Sequence, residues 1–124
     1  FHAKMQLSRE DYLTVQQIYR GWALLGVAVI GALCLTGWLS WMQREDAAVR
    51  FASQFSAGCI AASLLEFFSF AWPVNQITGN WTVVSDDWEQ LRRQWEYSHL
   101  VTALLYFVAL LSLMIPLLSR RLRD

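Results

Sequence analysis

Trp88, Arg92, Trp95, His99 and Tyr106 follow one another at intervals of four, three, four and seven positions. On an α-helix that spacing places all five on one face. An imidazole, a guanidinium and two indoles on a shared stripe combine a proton carrier, a fixed cation and planar walls, the parts of a site for an aromatic molecule. The same stripe also fits a packing seam at a membrane surface, where indole N–H groups and a guanidinium meet lipid headgroups. Tyr12, Gln16, Tyr19 and Arg20 recur at comparable spacing upstream. Two such stripes facing each other would enclose a pocket between helices. Neither His2 nor His99 has a partner at metal-binding spacing, and HExxH and CxxC motifs are absent, so no metal site is expected. A nucleophile motif and a Gly-rich phosphate loop are absent as well.

The elements that must position these residues are set by three apolar runs. Of 124 residues, 56% are hydrophobic, 15% aromatic and 16% charged. A soluble domain carries roughly a quarter charged residues, so this composition is charge-poor, and it excludes disorder because ample apolar surface is there to bury. Residues 22–42 contain no charge, and at about 1.5 Å per residue they span roughly 31 Å, the thickness of a bilayer core. Residues 100–118 form another uncharged run, and 51–72 a run holding one carboxyl group, Glu66. A chain this short has no room to bury three such helices in a soluble core. The expected fold is therefore an all-α integral membrane bundle with three transmembrane helices, a single domain over 1–124, and a polar cap from 8–21 and 73–99. Trp22, Trp38, Trp41, Trp72 and Trp81 fall near the span ends, where indoles settle in a bilayer. Small residues such as Gly26, Gly31, Gly37, Gly58 and Ala61 permit close helix packing. Cys34 and Cys59 lie inside spans and are expected to remain thiols.

Two helices are expected to outrun the membrane. Ser8 and Asp11 form a capping box that starts a helix running from 9 to about 43. Asp86 and Glu89 start another that continues into the third span as far as Pro116 or just beyond. Glu89 can pair with Arg93, and Arg92 with Glu96, at i,i+4 spacing. Pro73 should break the second span and open an irregular connection over 73–85. Three spans then put both extensions and this connection on one side, with five basic and six acidic residues. The other side holds five basic residues, Arg44, Arg50, Arg120, Arg121 and Arg123, against three acidic. Their density near span ends places that short side in the cytoplasm. Phe1 is not an initiator residue, and an earlier span ending near His2 is expected. Glu66, inside a span, is either functional or a protonated group bonded to Ser63, Ser69 or a neighbouring helix.

The residues Pro73-Val74-Asn75-Gln76, then Asn80-Trp81-Thr82, then Trp88 with Leu91-Arg92-Arg93-Gln94-Trp95-Glu96-Tyr97-Ser98-His99, resemble a family of small bacterial and fungal membrane proteins that includes the anthrone oxygenases. Residues 12–22 resemble its bacterial branch, and the likeness covers most of the chain. Family members have four spans, which agrees with a helix before His2. The resemblance implies oxidation of a ring methylene by O₂ without metal, flavin or other cofactor. His99 would then be the base, Asn75, Arg92 or Gln16 would support the oxyanion, and Trp81, Trp88 and Trp95 would stack on a planar polycycle. Tyr19 joins Gln16 in lining the substrate. Glu66 is outside the family pattern.

Two functions stand side by side on these residues. One is an oxygenase acting on a lipophilic aromatic or quinone-like substrate at the membrane boundary. The other is a non-catalytic subunit packed against a larger membrane complex or a second copy of the chain. A haem or quinone carrier is a third. The expected partners are the lipid bilayer and a hydrophobic small molecule or lipid. The expected location is a bacterial inner membrane with the cap outside. A formal net charge of zero argues against nucleic acid.

Overall fold

The computed structural model describes residues 1–83 and 85–121. Arg123 and Asp124, counted above on the short face, lie outside the described residues, as do the side chains of Arg120 and Arg121. Among the described residues the chain is entirely helical, and three helices are long and apolar enough to cross a membrane. The main helices are α1 (Arg9–Gln16), α2 (Leu25–Met42), α3 (Ala47–Glu66), α4 (Trp72–Ile77) and α5 (Trp88–Arg121).

The N-terminal start is the expected one. Ser8 caps α1 by accepting the Asp11 N–H at 3.3 Å, and its hydroxyl donates to Asp11 Oδ2 at 2.6 Å. The carboxylate therefore answers the cap through the hydroxyl and not through the Ser8 backbone. The expected continuous helix from 9 to 43 does not form. After α1 the chain tightens into a 3₁₀ turn, Gln17–Tyr19, Arg20 takes an extended ψ of 129°, and Gly21 turns to φ +83°. That left-handed step suits glycine, and it ends one helix and starts another 3₁₀ turn at Trp22–Leu24. The first apolar helix consequently begins at Leu25 instead of Trp22.

Pro73 does not end the second span either. Phe67–Ala71 forms a π-helical turn in which the Trp72 N–H reaches back to the Phe67 carbonyl, and Pro73 sits in the opening turn of α4. Widening the turn ahead of the ring relieves its clash with the preceding carbonyl and places the missing N–H where a helix begins anew. The candidate span thus extends over Ala47–Ile77. The irregular stretch is shorter than expected and centres on Gly79, Asn80 and Trp81, with φ of +52°, +56° and +64°. α5 starts at Trp88 and is one rod of 34 residues that passes through Pro116, as its pattern indicated.

α3 packs against both α2 and α5. Where they meet, the buried side chains are mostly small: Thr36 and Ser40 on α2, Ala52, Ser53, Ser56, Cys59 and Ser63 on α3, and Ala109 on α5, with Val49 and Ile60 as the larger members. The hydroxyls turn back onto their own helices. Thr36 donates to the Ala32 carbonyl, Ser53 to Val49 and Ser63 to Ile60. Ser112 also reaches across to the Ala52 carbonyl at 3.4 Å. Large apolar side chains point away from the bundle: Val27, Leu35, Phe51, Leu65, Phe107 and Leu117 are each more than half exposed. Small residues inside and bulky apolar ones outside is the distribution lipid selects, since tails solvate leucine as well as another helix does. Both cysteines are free thiols.

Trp22, Trp38, Trp41 and Trp72 are exposed near helix ends, consistent with a headgroup position. Trp81 is not. It is only 4% exposed and belongs to a second core, formed with Tyr12, Ala71, Val74 and Trp95, which we call the upper core.

Candidate functional site

This upper core holds most of the residues that the sequence singled out. α1 delivers Tyr12 to its centre, where the ring is fully buried. Trp81 meets Tyr12 edge-on at 5.0 Å between centroids, and the Arg92 guanidinium lies 5.6 Å from the same ring. The left-handed run at 79–81 turns the chain sharply after α4 and brings Trp81 inward. An added Cβ at Gly79 would stand 3.0 Å from Thr82 Oγ1 at a φ of +52°, so a side chain there would be both crowded and strained. Gln17 fastens the turn by donating to the Trp81 carbonyl at 3.2 Å.

From α5 come Trp88, Arg92, Trp95, Glu96, Ser98 and His99. Arg92 lies 4.6 Å over Trp88 and donates through one terminal nitrogen to the Leu7 carbonyl at 3.0 Å. Trp95 donates its indole N–H to Asn75 Oδ1 at 2.9 Å and packs against Tyr19 and Trp81 at 5.5 and 6.3 Å. His99 stacks on Trp95 with centroids 3.8 Å apart, and its Nδ1 lies 2.8 Å from the Trp95 carbonyl. A carbonyl can only accept, so Nδ1 carries the proton and Nε2 of the neutral ring keeps a lone pair. Tyr106, lower on the stripe, is half-buried and lies outside this core.

The i,i+4 pairs expected on α5 are not among the ion pairs of the described residues. Arg92 turns to Leu7, and Glu96 is taken by Lys4, with Nζ 2.6 Å from Oε1. The same carboxylate oxygen accepts the Tyr12 hydroxyl at 3.0 Å, and Tyr12 in turn accepts an N–H from Gln16. Burial, with the Glu96 carboxylate alongside, pushes the Tyr12 phenol far above its ordinary value, so it is a hydrogen-bond donor across the physiological range. Lys4 is the residue the sequence reading overlooked. Its ammonium lies 4.7 Å from the Tyr19 and Trp95 centroids and 5.4 Å from that of Tyr12. No periodicity marks a lone lysine upstream of a helix; its only distinction in the sequence is to be the single lysine present.

The site residues therefore differ in what they can still do. Gln16 gives one N–H of its amide to the Tyr12 hydroxyl, and its Oε1 is buried without a partner among the described residues. Asn75 uses its carbonyl oxygen on Trp95, and its NH₂ group makes no hydrogen bond among the described residues. The Trp81 indole N–H and the Arg92 Nε–H are also buried without a partner. Glu66 closes α3 just before the π turn and binds the neighbouring helix: Ser98 and Thr102 donate to its Oε2 at 2.9 and 3.0 Å. Of the bonding partners considered for it, the neighbouring helix is the one used, and Ser63 bonds the Ile60 carbonyl instead.

The described residues hold no cluster of three or more metal-ligating side chains. No protein-family model matches the chain, and neither a curated protein nor a solved structure matches it. The site has to be read from its own chemistry.

Proposed function

We propose that this multi-span protein acts on a lipophilic planar aromatic or quinone-like molecule at the membrane boundary, as a cofactor-independent oxygenase of the anthrone oxygenase type. In this reading it sits in a bacterial inner membrane with the polar cap outside. The observation that carries the proposal is the placement of His99, whose Nδ1–H is directed at the Trp95 carbonyl while Nε2 keeps its lone pair and has no hydrogen-bond partner among the described residues. A base held in one tautomer beside an indole wall suits proton removal from an aromatic ketone.

The reaction balances with O₂ as the only co-reactant. Nε2 takes one proton from the ring methylene, and the electron pair moves onto the ketone oxygen as an enolate. Carbon then bonds to O₂, giving a hydroperoxide once a proton is returned. Cleavage of the O–O bond with loss of the remaining methylene proton releases water and leaves a second carbonyl. The free NH₂ of Asn75 is the donor available to the enolate oxygen. Arg92 lies seven residues, about 10 Å of helix, from His99 and would meet the far end of a polycycle.

Detergent-purified protein is expected to consume one O₂ per anthrone oxidised. His99→Ala should lower the rate by about 10²–10⁴-fold, with helix content unchanged by circular dichroism. Absence of O₂ uptake by the wild-type protein rejects the proposal. A second reading, an accessory subunit, draws support from α2. A Cβ built on Gly26, Gly31 or Gly37 meets nothing within 4 Å, so these positions are open to a close-packing helix. Stable co-purification with a larger membrane complex, without turnover, would favour it.

A further inference from the structure

The surroundings of Lys4 amount to a recognition site for an ammonium ion. Three aromatic rings, Tyr12, Tyr19 and Trp95, stand with their centroids within 5.4 Å of Nζ, and the Glu96 carboxylate closes the remaining side at 2.6 Å. Tyr12, Trp95 and Glu96 are each no more than 5% exposed. Aromatic faces around a cation, backed by one carboxylate, are the means by which proteins bind alkylammonium groups, and the attraction strengthens as water is excluded. What is read is a positive nitrogen, by the carboxylate, the rings and the Tyr19 hydroxyl 3.5 Å away.

The present occupant is held on a light tether. Lys4 belongs to a three-residue 3₁₀ turn, Lys4–Gln6, without a side-chain cap, and Phe1, His2, Ala3 and Gln6 are exposed. Apart from Lys4 itself, the segment is fixed by the Leu7 carbonyl on Arg92, by Leu7 packing on the upper core, and by Phe1 against Tyr97. Such a segment opens locally at small cost compared with the helices beneath it. Its depth also matters. Glu96 precedes Leu100, where the uncharged run begins, by four residues, about 6 Å of helix. That is the level at which headgroup nitrogen atoms lie in a bilayer.

We propose that the cage of Tyr12, Tyr19, Trp95 and Glu96 is a binding site for an organic ammonium group, the choline or ethanolamine head of a phospholipid or a free amine of the same chemistry, and that Lys4 is its exchangeable internal occupant. The cage shares Tyr19 and Trp95 with the oxygenase reading but does not rest on that reading. Its ligand competes with Lys4, so binding releases the N-terminal segment from α5.

Two measurements test this. In wild-type protein in detergent, tetramethylammonium should raise the rate at which acetic anhydride labels Lys4, read by peptide mass spectrometry, while sodium at equal ionic strength should not. No acceleration overturns exchange. In Lys4→Met, which keeps an apolar stem and empties the cage, tetramethylammonium should bind saturably and at least tenfold more tightly than in wild type. The uncharged isostere of choline, 3,3-dimethylbutan-1-ol, should not compete. The Lys4→Met/Glu96→Gln double variant should lose binding. Equal affinity in the single variant, the double variant and wild type overturns the cage. Nanodiscs separate the two sources. Weaker tetramethylammonium binding by Lys4→Met in phosphatidylcholine than in phosphatidylglycerol supports an occupying lipid head. Equal, saturable binding in both supports a soluble amine as the ligand.

Discussion

Glu96→Ala is expected to cost about 3 kcal/mol of stability, at the low end of the range for removing one partner of a buried ion pair. Three effects add. The Lys4 ammonium loses the anion 2.6 Å away while remaining among aromatic rings. Tyr12, fully buried, loses the acceptor for its hydroxyl, and an unmet buried donor carries its own desolvation cost. A cavity opens where the carboxylate stood. The loss stays at the low end because the Lys4 side chain is 17% exposed and a long stem can carry the charge outward to water. Neutralising both partners, as in Lys4→Met/Glu96→Gln, should recover much of it, since no uncompensated charge remains. Thermal unfolding in detergent, followed by circular dichroism, measures each variant. A Glu96→Ala loss below about 1 kcal/mol would mean that the pair behaves like a screened surface pair.

Trp95→Ala should be at least as damaging, at about 3–5 kcal/mol. The indole is 5% exposed and meets Tyr19, Trp81, His99, Lys4 and Asn75. Truncation leaves a ring-sized void and strips Asn75 Oδ1 of its donor. Trp95→Phe separates these contributions. It keeps most of the packing and should lose only the hydrogen bond, about 1 kcal/mol. Trp41→Ala, at a position 65% exposed, is the control and should cost far less. Should Trp95→Ala prove no worse than Trp41→Ala, the centre of the cap lies elsewhere.

The parts of this molecule that were legible in its sequence are those governed by composition and period. Uncharged runs of about twenty residues announce α2 and α5 because the length of a bilayer-spanning helix is fixed by geometry. The Trp88–Arg92–Trp95–His99 stripe was legible because four of its members share one unbroken helix. What escaped was set by tertiary context. Pro73 reads as a stop, yet a π turn just ahead of it lets the helix proceed. Gly21, a tolerable residue in a helix, instead adopts φ +83° and divides the first long helix in two. Trp81 looks like an interfacial indole until three consecutive left-handed residues carry it into the core. Glu96 has Arg92 at ideal spacing on its own helix, but a lysine 92 positions upstream captures it. A local rule ranks only local partners, and the winning partner here is brought by the fold.

The hydroxyl-lined seam between α2, α3 and α5 has a calorimetric consequence. In a bilayer, separating these helices trades contact with serine and alanine for contact with lipid tails and brings little apolar surface to water. Heat-capacity change on unfolding arises from the hydration of newly exposed apolar groups. The spans should therefore contribute almost none, and their stability should vary with temperature along a nearly straight line. The cap is different, because Tyr12, Trp81 and Trp95 are buried against one another there. Any curvature in the stability of the whole molecule would come from that small aromatic knot, leaving a protein whose thermal response is concentrated in its upper quarter.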